Sequence, residues 1–287
     1  MIGSEIMRHL SLRGYKVNNL STKPSSNPQT FLWNPKKNEL DMNALKDVDT
    51  IIHLAGATIA KRWTKRYKKE ILESRIQSTR VLREAISSLP VDQRPKSLIC
   101  ASAVGLYPND QNKVYSEDDP GGDGFLATVI NQWEQEIFKS ENLGMRVCCL
   151  RIGIVLGKGG GVLDTLLPFF KLGLGSPLGN GKQWMPWIHI SDLARQFLCL
   201  AENSKYQGIF LGVGSESVTN REFSQVLASK INRPYFLPSI PAFVLYSVLG
   251  PMAELALMST RCSSLLWKNE GFEYQYQTLN HALDDLI

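Results

Sequence analysis

The residues of this 287-residue chain that could do chemistry are few and scattered. Its four histidines, His9, His53, His189 and His281, suggest no metal site. Its five cysteines, Cys100, Cys148, Cys149, Cys199 and Cys262, are odd in number and lack metal-ligand spacing. Four of them lie in apolar runs and read as small buried hydrophobes of a reducing compartment. His189 has the titration range of a base, but Trp187–Asp192 reads better as a strand-to-helix junction. Trp184 and Trp187 flank glycine-dense loops, where they would either stack on a planar or sugar substrate or close a lobe. The run Lys61–Lys69 holds much of the excess of 32 Lys and Arg over 27 Asp and Glu. With Trp63 and Tyr67 interleaved it has the composition of a phosphate-contacting surface. Glu70 and Glu73 follow in helical phase, so a solvated helix face is the plainer reading, and a basic mouth for an anionic cofactor or substrate a third.

The elements that must position these residues follow from periodicity. Ile2, Ile6 and Leu10 give a helix stopped by Gly14. Tyr15–Leu20, Thr30–Trp33, Val48–Leu54, Ser97–Ser102 and Arg146–Arg151 read as strands, and Thr64–Ser88 and Phe125–Glu141 as helices. Alternation of apolar strands with long helices predicts a doubly wound parallel α/β sheet of the Rossmann type. From Gly157 the chain becomes glycine-dense and then helical. The expected division is a sheet domain over 1–156 and a smaller, mainly helical lobe beyond it. With 43% hydrophobic and 21% charged residues the composition is that of a globular protein. No leader-like N-terminus and no apolar run long enough for a membrane span is seen. A cytoplasmic monomer or homodimer is expected, with an unidentified small-molecule substrate and neither a nucleic-acid nor a membrane partner.

Several segments resemble the extended short-chain dehydrogenase/reductases, the nucleotide-sugar epimerase-like proteins. They are His53-Leu54-Ala55-Gly56-Ala57 after a strand and Trp187-Ile188-His189-Ile190-Ser191-Asp192-Leu193 where the chain rejoins the sheet. The resemblance narrows to the atypical "epimerase family proteins", also called cell-division-inhibitor-like. It rests on Arg62-Trp63-Thr64, Ser74-Arg75, Ser102-Ala103-Val104-Gly105-Leu106-Tyr107, Gln132-Trp133-Glu134, Arg151–Gly157 and Gly181–His189. Phe236-Leu237-Pro238 to Gly271–Tyr274 is similar to that subgroup's small C-terminal domain. The resemblance implies that the sheet domain over 1–156 is dinucleotide-binding and is rejoined by 188–214, which leaves 157–187 and 215–287 to the lobe.

The resemblance implies a dinucleotide whose pyrophosphate meets a helix N-terminus through a glycine-rich turn. Met1-Ile2-Gly3 resembles the end of that motif, with Gly3 its last glycine; the first strand and two earlier glycines are absent. Two readings follow: a start placed late, which we prefer, or a short chain that binds cofactor poorly and closes its sheet by pairing the second strand with the fourth. After the second strand stand Ser21, Thr22 and Lys23 with no acid, a pattern that favours the 2′-phosphate of NADP over NAD. Leu54, Ala55, Gly56, Glu70, Arg75 and Val155 are the further cofactor contacts that the resemblance implies. The superfamily's Tyr with Lys four residues on, which makes a phenolate near neutral pH, occurs at none of the nine tyrosines. Thr128 and Gln132 are the nearest replacements, and Ser102 is the one candidate catalytic residue. The expected function is an NADP(H)-dependent oxidoreductase or isomerase with a non-standard site, or alternatively a catalytically silent NADP(H)-binding regulatory or scaffold protein.

Overall fold

The computed structural model describes residues 1–287. The chain opens with α1 (Ile2–Leu12), which turns Ile6 into the main core and ends before Gly14, whose φ of +77° lets its N–H reach back to the Ser11 carbonyl. Next come β1 (Asn19–Ser21), β2 (Thr30–Asn34) and β3 (Glu39–Leu40), which pair in that order as a small sheet. β4 (Thr50–His53), α2 (Lys65–Ser87), β5 (Ser97–Ala103), β6 (Asp110–Tyr115), α3 (Phe125–Phe138) and β7 (Arg146–Ile152) follow. Beyond them lie β8 (Ile154–Leu156), α4 (Gly161–Lys171), β9 (Trp184–Met185), β10 (Trp187–His189), α5 (Ile190–Glu202) and β11 (Gly208–Gly212). The last stretch holds β12 (Val218–Thr219), α6 (Asn220–Lys230), α7 (Ala242–Leu249), α8 (Glu254–Leu257), β13 (Thr260–Cys262), α9 (Leu265–Asn269) and α10 (Leu279–Leu286).

The main sheet is parallel, in the order β11-β7-β5-β4. β5 and β7 run together from Ser97 opposite Arg146 to Ala103 opposite Ile152, which sets Ser102 beside Arg151. Both strands are almost wholly buried, as a parallel sheet covered on two faces requires. Helices α2 and α3 pack together on one face, and α1 packs with α5 on the other. Thr64 caps α2 by accepting the Tyr67 N–H at 3.1 Å, so the basic run splits between a loop and the exposed first turns of a helix. Cys100, Cys148, Cys149 and Cys262 are buried and Cys199 half-buried, all as free thiols; burial pushes the Cys148 thiol up to about 11.

The second core gathers Leu156, Leu163, Trp187, Phe223, Leu227 and Leu283 around α4, α6 and α10. The expected boundary at residue 215 does not follow this packing throughout. Trp267 and Tyr274 belong to the main core, where Trp267 Nε1 donates to the Leu211 carbonyl at 2.7 Å and Tyr274 donates to that of Val213 at 3.0 Å. The buried carboxylate of Asp192, in the first turn of α5, accepts the N–H groups of Gln275 and Tyr276, both at 2.9 Å. One acidic side chain thereby pins the returning segment to the sheet.

The pairing of the second strand with the fourth, the alternative to a start placed late, does not form. β1 pairs only with β2, and β4 only with β5. Between them lies a cleft of about 750 Å³ lined by Gly3, Ile6, Tyr15–Thr22, Val48–Gly56 and Leu82. The facing edges of β1 and β4 have no strand between them; α1 lies beside the cleft, with Ile6 buried in its lining and a Cβ built on Gly3 3.5 Å from Leu54 Cδ1. The strand expected over Tyr15–Leu20 is short for the same reason, since the residues before Asn19 have no neighbour to pair with. In a parallel strand, successive N–H groups alternate between the two sides. Hydrogen exchange is therefore expected to divide β4 into protected amides facing β5 and fast ones facing the cleft, while β5 and β7 exchange slowly throughout. Uniform protection of β4 would show that the cleft closes in solution.

Candidate functional site

The turn after β4 is held in place by α2. Ser74 Oγ accepts the Ala57 N–H at 2.9 Å, and Arg75 donates to the carbonyls of Ala57 at 3.1 Å and Ile71 at 2.9 Å. Its guanidinium lies 5.2 Å from the Trp133 ring centroid, a cation–π arrangement. A Cβ on Gly56 would stand 3.2 Å from Arg75 Cγ and Cζ, so glycine is what allows the turn to lie against this side chain. Burial lowers the Arg75 pKa, and no carboxylate forms an ion pair with its guanidinium.

The expected cofactor residues fall into two groups. Gly3, Ser21, Thr22, Leu54, Ala55 and Gly56 line the one cleft between β1 and β4. Helix α1 begins there, with Gly3 in its first turn. Arg75 touches the edge of this group through Gly56. Val155 lies on β8, where its carbonyl oxygen would be 3.2 Å from a Cβ on Gly161, beside Met1. Ser21 closes its own turn, accepting the Lys23 N–H at 3.0 Å and donating to the Lys23 carbonyl at 2.8 Å, while Thr22 and Lys23 are exposed. Glu70 points away from the group, toward Lys36 at 3.7 Å.

Ser102 is buried, and its hydroxyl donates to Glu134 Oε1 at 2.5 Å. Its single proton is therefore engaged. Glu134 also receives two bonds from Arg151, Nε to Oε1 at 2.9 Å and Nη2 to Oε2 at 2.8 Å. Arg151 Nη1 in turn donates to Tyr107 Oη at 2.8 Å and to the Glu117 carbonyl at 3.0 Å. Tyr107 donates onward to the Ser116 carbonyl at 2.8 Å, and burial raises its pKa well above the ordinary phenol value. Sequence reasoning missed Glu134 as the partner of Ser102. The signal was present: Glu134 falls four residues after Ile130 and eight after Leu126, on the apolar stripe of α3.

That stripe carries no replacement for the missing tyrosine and lysine. Leu126, Val129, Ile130 and Trp133 form it, and Leu126 and Ile130 reach under Gly105. Thr128 and Gln132 are exposed, and Thr128 Oγ1 is spent on the Gly124 carbonyl at 2.8 Å. Trp187 is fully buried in the second core, while Trp184 Nε1 donates to the Gln111 carbonyl at 2.9 Å with Arg261 over its ring. His189 caps α5 by accepting the Ser191 N–H and stacks on Tyr276 with ring centroids 3.6 Å apart.

A parallel sheet covered by helices on both faces, with a helix N-terminus at a glycine beside the turn that follows a strand, is the architecture of a dinucleotide-binding Rossmann protein. The chain matches the NAD dependent epimerase/dehydratase family over residues 1–212, and it belongs to that family. Residues 240–286 match a domain of unknown function, DUF1731. Among similar proteins, Epimerase family protein SDR39U1 of Homo sapiens is 33% identical over 291 residues, spanning 100% of this chain and 96% of that one. Epimerase family protein ML0860 of Mycobacterium leprae is 34% identical over 285 residues, 99% of this chain and 91% of the other. The crystal structure of human SDR39U1 (isoform 2) with NADPH superposes with a TM-score of 0.87 at 32% identity, covering 100% of this chain and 95% of that one. A nucleoside-diphosphate sugar epimerase from Corynebacterium glutamicum gives 0.80 at 26%, covering 99% of this chain and 55% of the other.

Two outcomes are expected of these side chains. Glu134→Gln leaves a buried guanidinium without its counter-charge and should cost about 3–5 kcal/mol in urea unfolding, whereas the paired change Glu134→Leu with Arg151→Met should cost less. A double variant as damaged as the single would show that shape rather than charge is at stake. His53 is fully buried, with Nε2 3.2 Å from Thr79 Oγ1 and 3.3 Å from Ser78 Oγ, and burial lowers its pKa to about 4. The unfolded chain, titrating near 6.5, then binds this proton first, so stability present above pH 6.5 declines as pH falls toward 4, by about 2–3 kcal/mol in all. His53→Gln should flatten that part of the stability–pH curve; an unchanged slope would assign it to other groups.

Proposed function

We propose that this chain binds NADP(H) and acts as an oxidoreductase or isomerase on a small molecule, through a site that lacks the tyrosine–lysine proton relay. The observation that carries the reading is the convergence of Gly3, Ser21, Thr22 and Leu54–Gly56 on one cleft beside the start of α1. The residues present fit the group: the start of α1 suits a pyrophosphate, and Ser21–Lys23, without an acid, suit a 2′-phosphate. Leu54–Gly56 would lie along the cofactor, with their turn fixed by Ser74 and Arg75. The similar human protein crystallised with NADPH supports the same choice. When bound, this cofactor supplies or accepts a hydride.

The apolar stripe of α3 favours a second reading, a binding protein without turnover. Ser102 and Tyr107 both give their protons to internal acceptors, so a reduced substrate would take its proton from elsewhere. Tryptophan-to-nicotinamide energy transfer, followed by NADPH consumption over a pool of carbonyl compounds and nucleotide sugars, separates the two. NADPH is expected to bind in preference to NADH, and Lys23→Glu to weaken NADPH about tenfold with little effect on NADH, by loss of one charge contact to phosphate. Consumption slowed by Ser102→Ala or Arg75→Ala supports the enzyme; tight binding without consumption supports the silent binder. Binding of neither nucleotide would overturn both.

A further inference from the structure

The second lobe carries a face that its own fold leaves uncovered. Two stretches distant in sequence are sewn together there: the Gly179 N–H donates to the Ile240 carbonyl and the Ile240 N–H to that of Pro177, each at 2.8 Å. Ser176 Oγ adds a bond to the Pro238 carbonyl. On either side of this seam large apolar side chains stand in solvent. Leu172 is 75% exposed, Phe236 75%, Phe243 72% and Val248 70%. Of the eight residues of α7, Ala-Phe-Val-Leu-Tyr-Ser-Val-Leu, only Leu245 is buried. Single exposed apolar residues are commonplace on protein surfaces, but a group of this kind on joined segments marks a contact surface.

Charge identifies the partner. Residues 165–191 contain no Asp or Glu, and neither do residues 223–253; their charged residues are Lys171, Lys182, Lys230 and Arg233. Lys171, Lys182 and Arg233 are exposed, and Arg221 lies across the seam, within 3.5 Å of the Asn180 carbonyl and Ser239 Oγ. Apolar side chains flanked by Lys171, Lys182, Arg221 and Arg233, with the exposed carboxylates of Asp164, Glu222 and Glu254 only at the margins of the two stretches, complement a surface that offers hydrocarbon behind a layer of negative headgroups. A protein partner with an apolar patch would need no such bias of sign. No helix of the chain is long and apolar enough to cross a membrane, so the contact is peripheral: aromatic side chains of α7 enter the headgroup boundary while lysine and arginine stems reach outward.

We propose that the face built from residues 169–182 and 236–248 docks the protein on an anionic lipid bilayer. Flotation of the full chain with phosphatidylcholine vesicles, with and without phosphatidylserine, tests this. Binding is expected only to the anionic vesicles and should fall steeply with added salt. Phe243→Ser and Phe236→Ser, at exposed positions that the folded core does not use, should each weaken it about tenfold, the share of one inserted aromatic ring. Lys171→Glu with Arg233→Glu should abolish it while leaving thermal unfolding unchanged. No flotation, equal binding to neutral vesicles, or indifference to these variants would each overturn the proposal. So would absence of vesicle binding together with a concentration-dependent dimer that Phe243→Ser dissolves, which would assign the face to a second copy.

Discussion

The ion pair of Arg151 with Glu134 is the constraint on which the strand ends depend. Both partners are nearly removed from solvent, and two charges taken out of water are tolerated only when their remaining hydrogen-bonding capacity is filled. Here it is filled by three groups: Ser102 on β5, and Tyr107 and the Glu117 carbonyl between β5 and α3. The register of β5 with β7 sets Ser102 and Arg151 side by side, and α3 brings the carboxylate to both. Each polar group at this edge is thereby oriented by another. The gain is a rigid floor; the consequence is that the floor has no proton left to give.

The same economy governs the turn after β4. A serine and an arginine on α2, neighbours in sequence, take hold of a single residue, Ala57, by its N–H and its carbonyl. A cation that could have faced a ligand outright is largely occupied with shaping the backbone that would. Its lack of a carboxylate neighbour still leaves positive charge at the margin of the cleft. Positioning and electrostatics come from one side chain.

Much of this architecture is legible in the sequence. Apolar runs such as Ser97–Ser102 and Arg146–Arg151 have the composition of strands buried on both faces, and the long helix after Thr64 has a capping residue and a clear apolar stripe. The cleft residues near Gly3, Ser21 and Leu54 are named by the family resemblance rather than by any local pattern. What is not legible depends on pairings distant in sequence. Ser102 looks like a free hydroxyl until Glu134 is brought to it, Glu70 looks like a site residue until Lys36 faces it, and Trp187 looks like a cleft wall until the second core closes around it. The run from Trp267 to Tyr274 has no local signal to say which core it joins; the bonds of Trp267 and Tyr274 to the carbonyls of Leu211 and Val213 tie it to the main one.

The cleft between β1 and β4 divides the molecule mechanically as well as topologically. The small sheet of β1, β2 and β3 shares no ladder with the main sheet and is held to it through α2, which packs on β3 and the turn before it, and through the side chains around the cleft. Its banks therefore have freedom to breathe that the interior strands lack. A molecule gripping Ser21–Thr22 on one bank and Leu54–Gly56 on the other would act as a rivet, and whatever it lost in restraining that motion would return as resistance of the whole to heat, in proportion to the logarithm of its concentration.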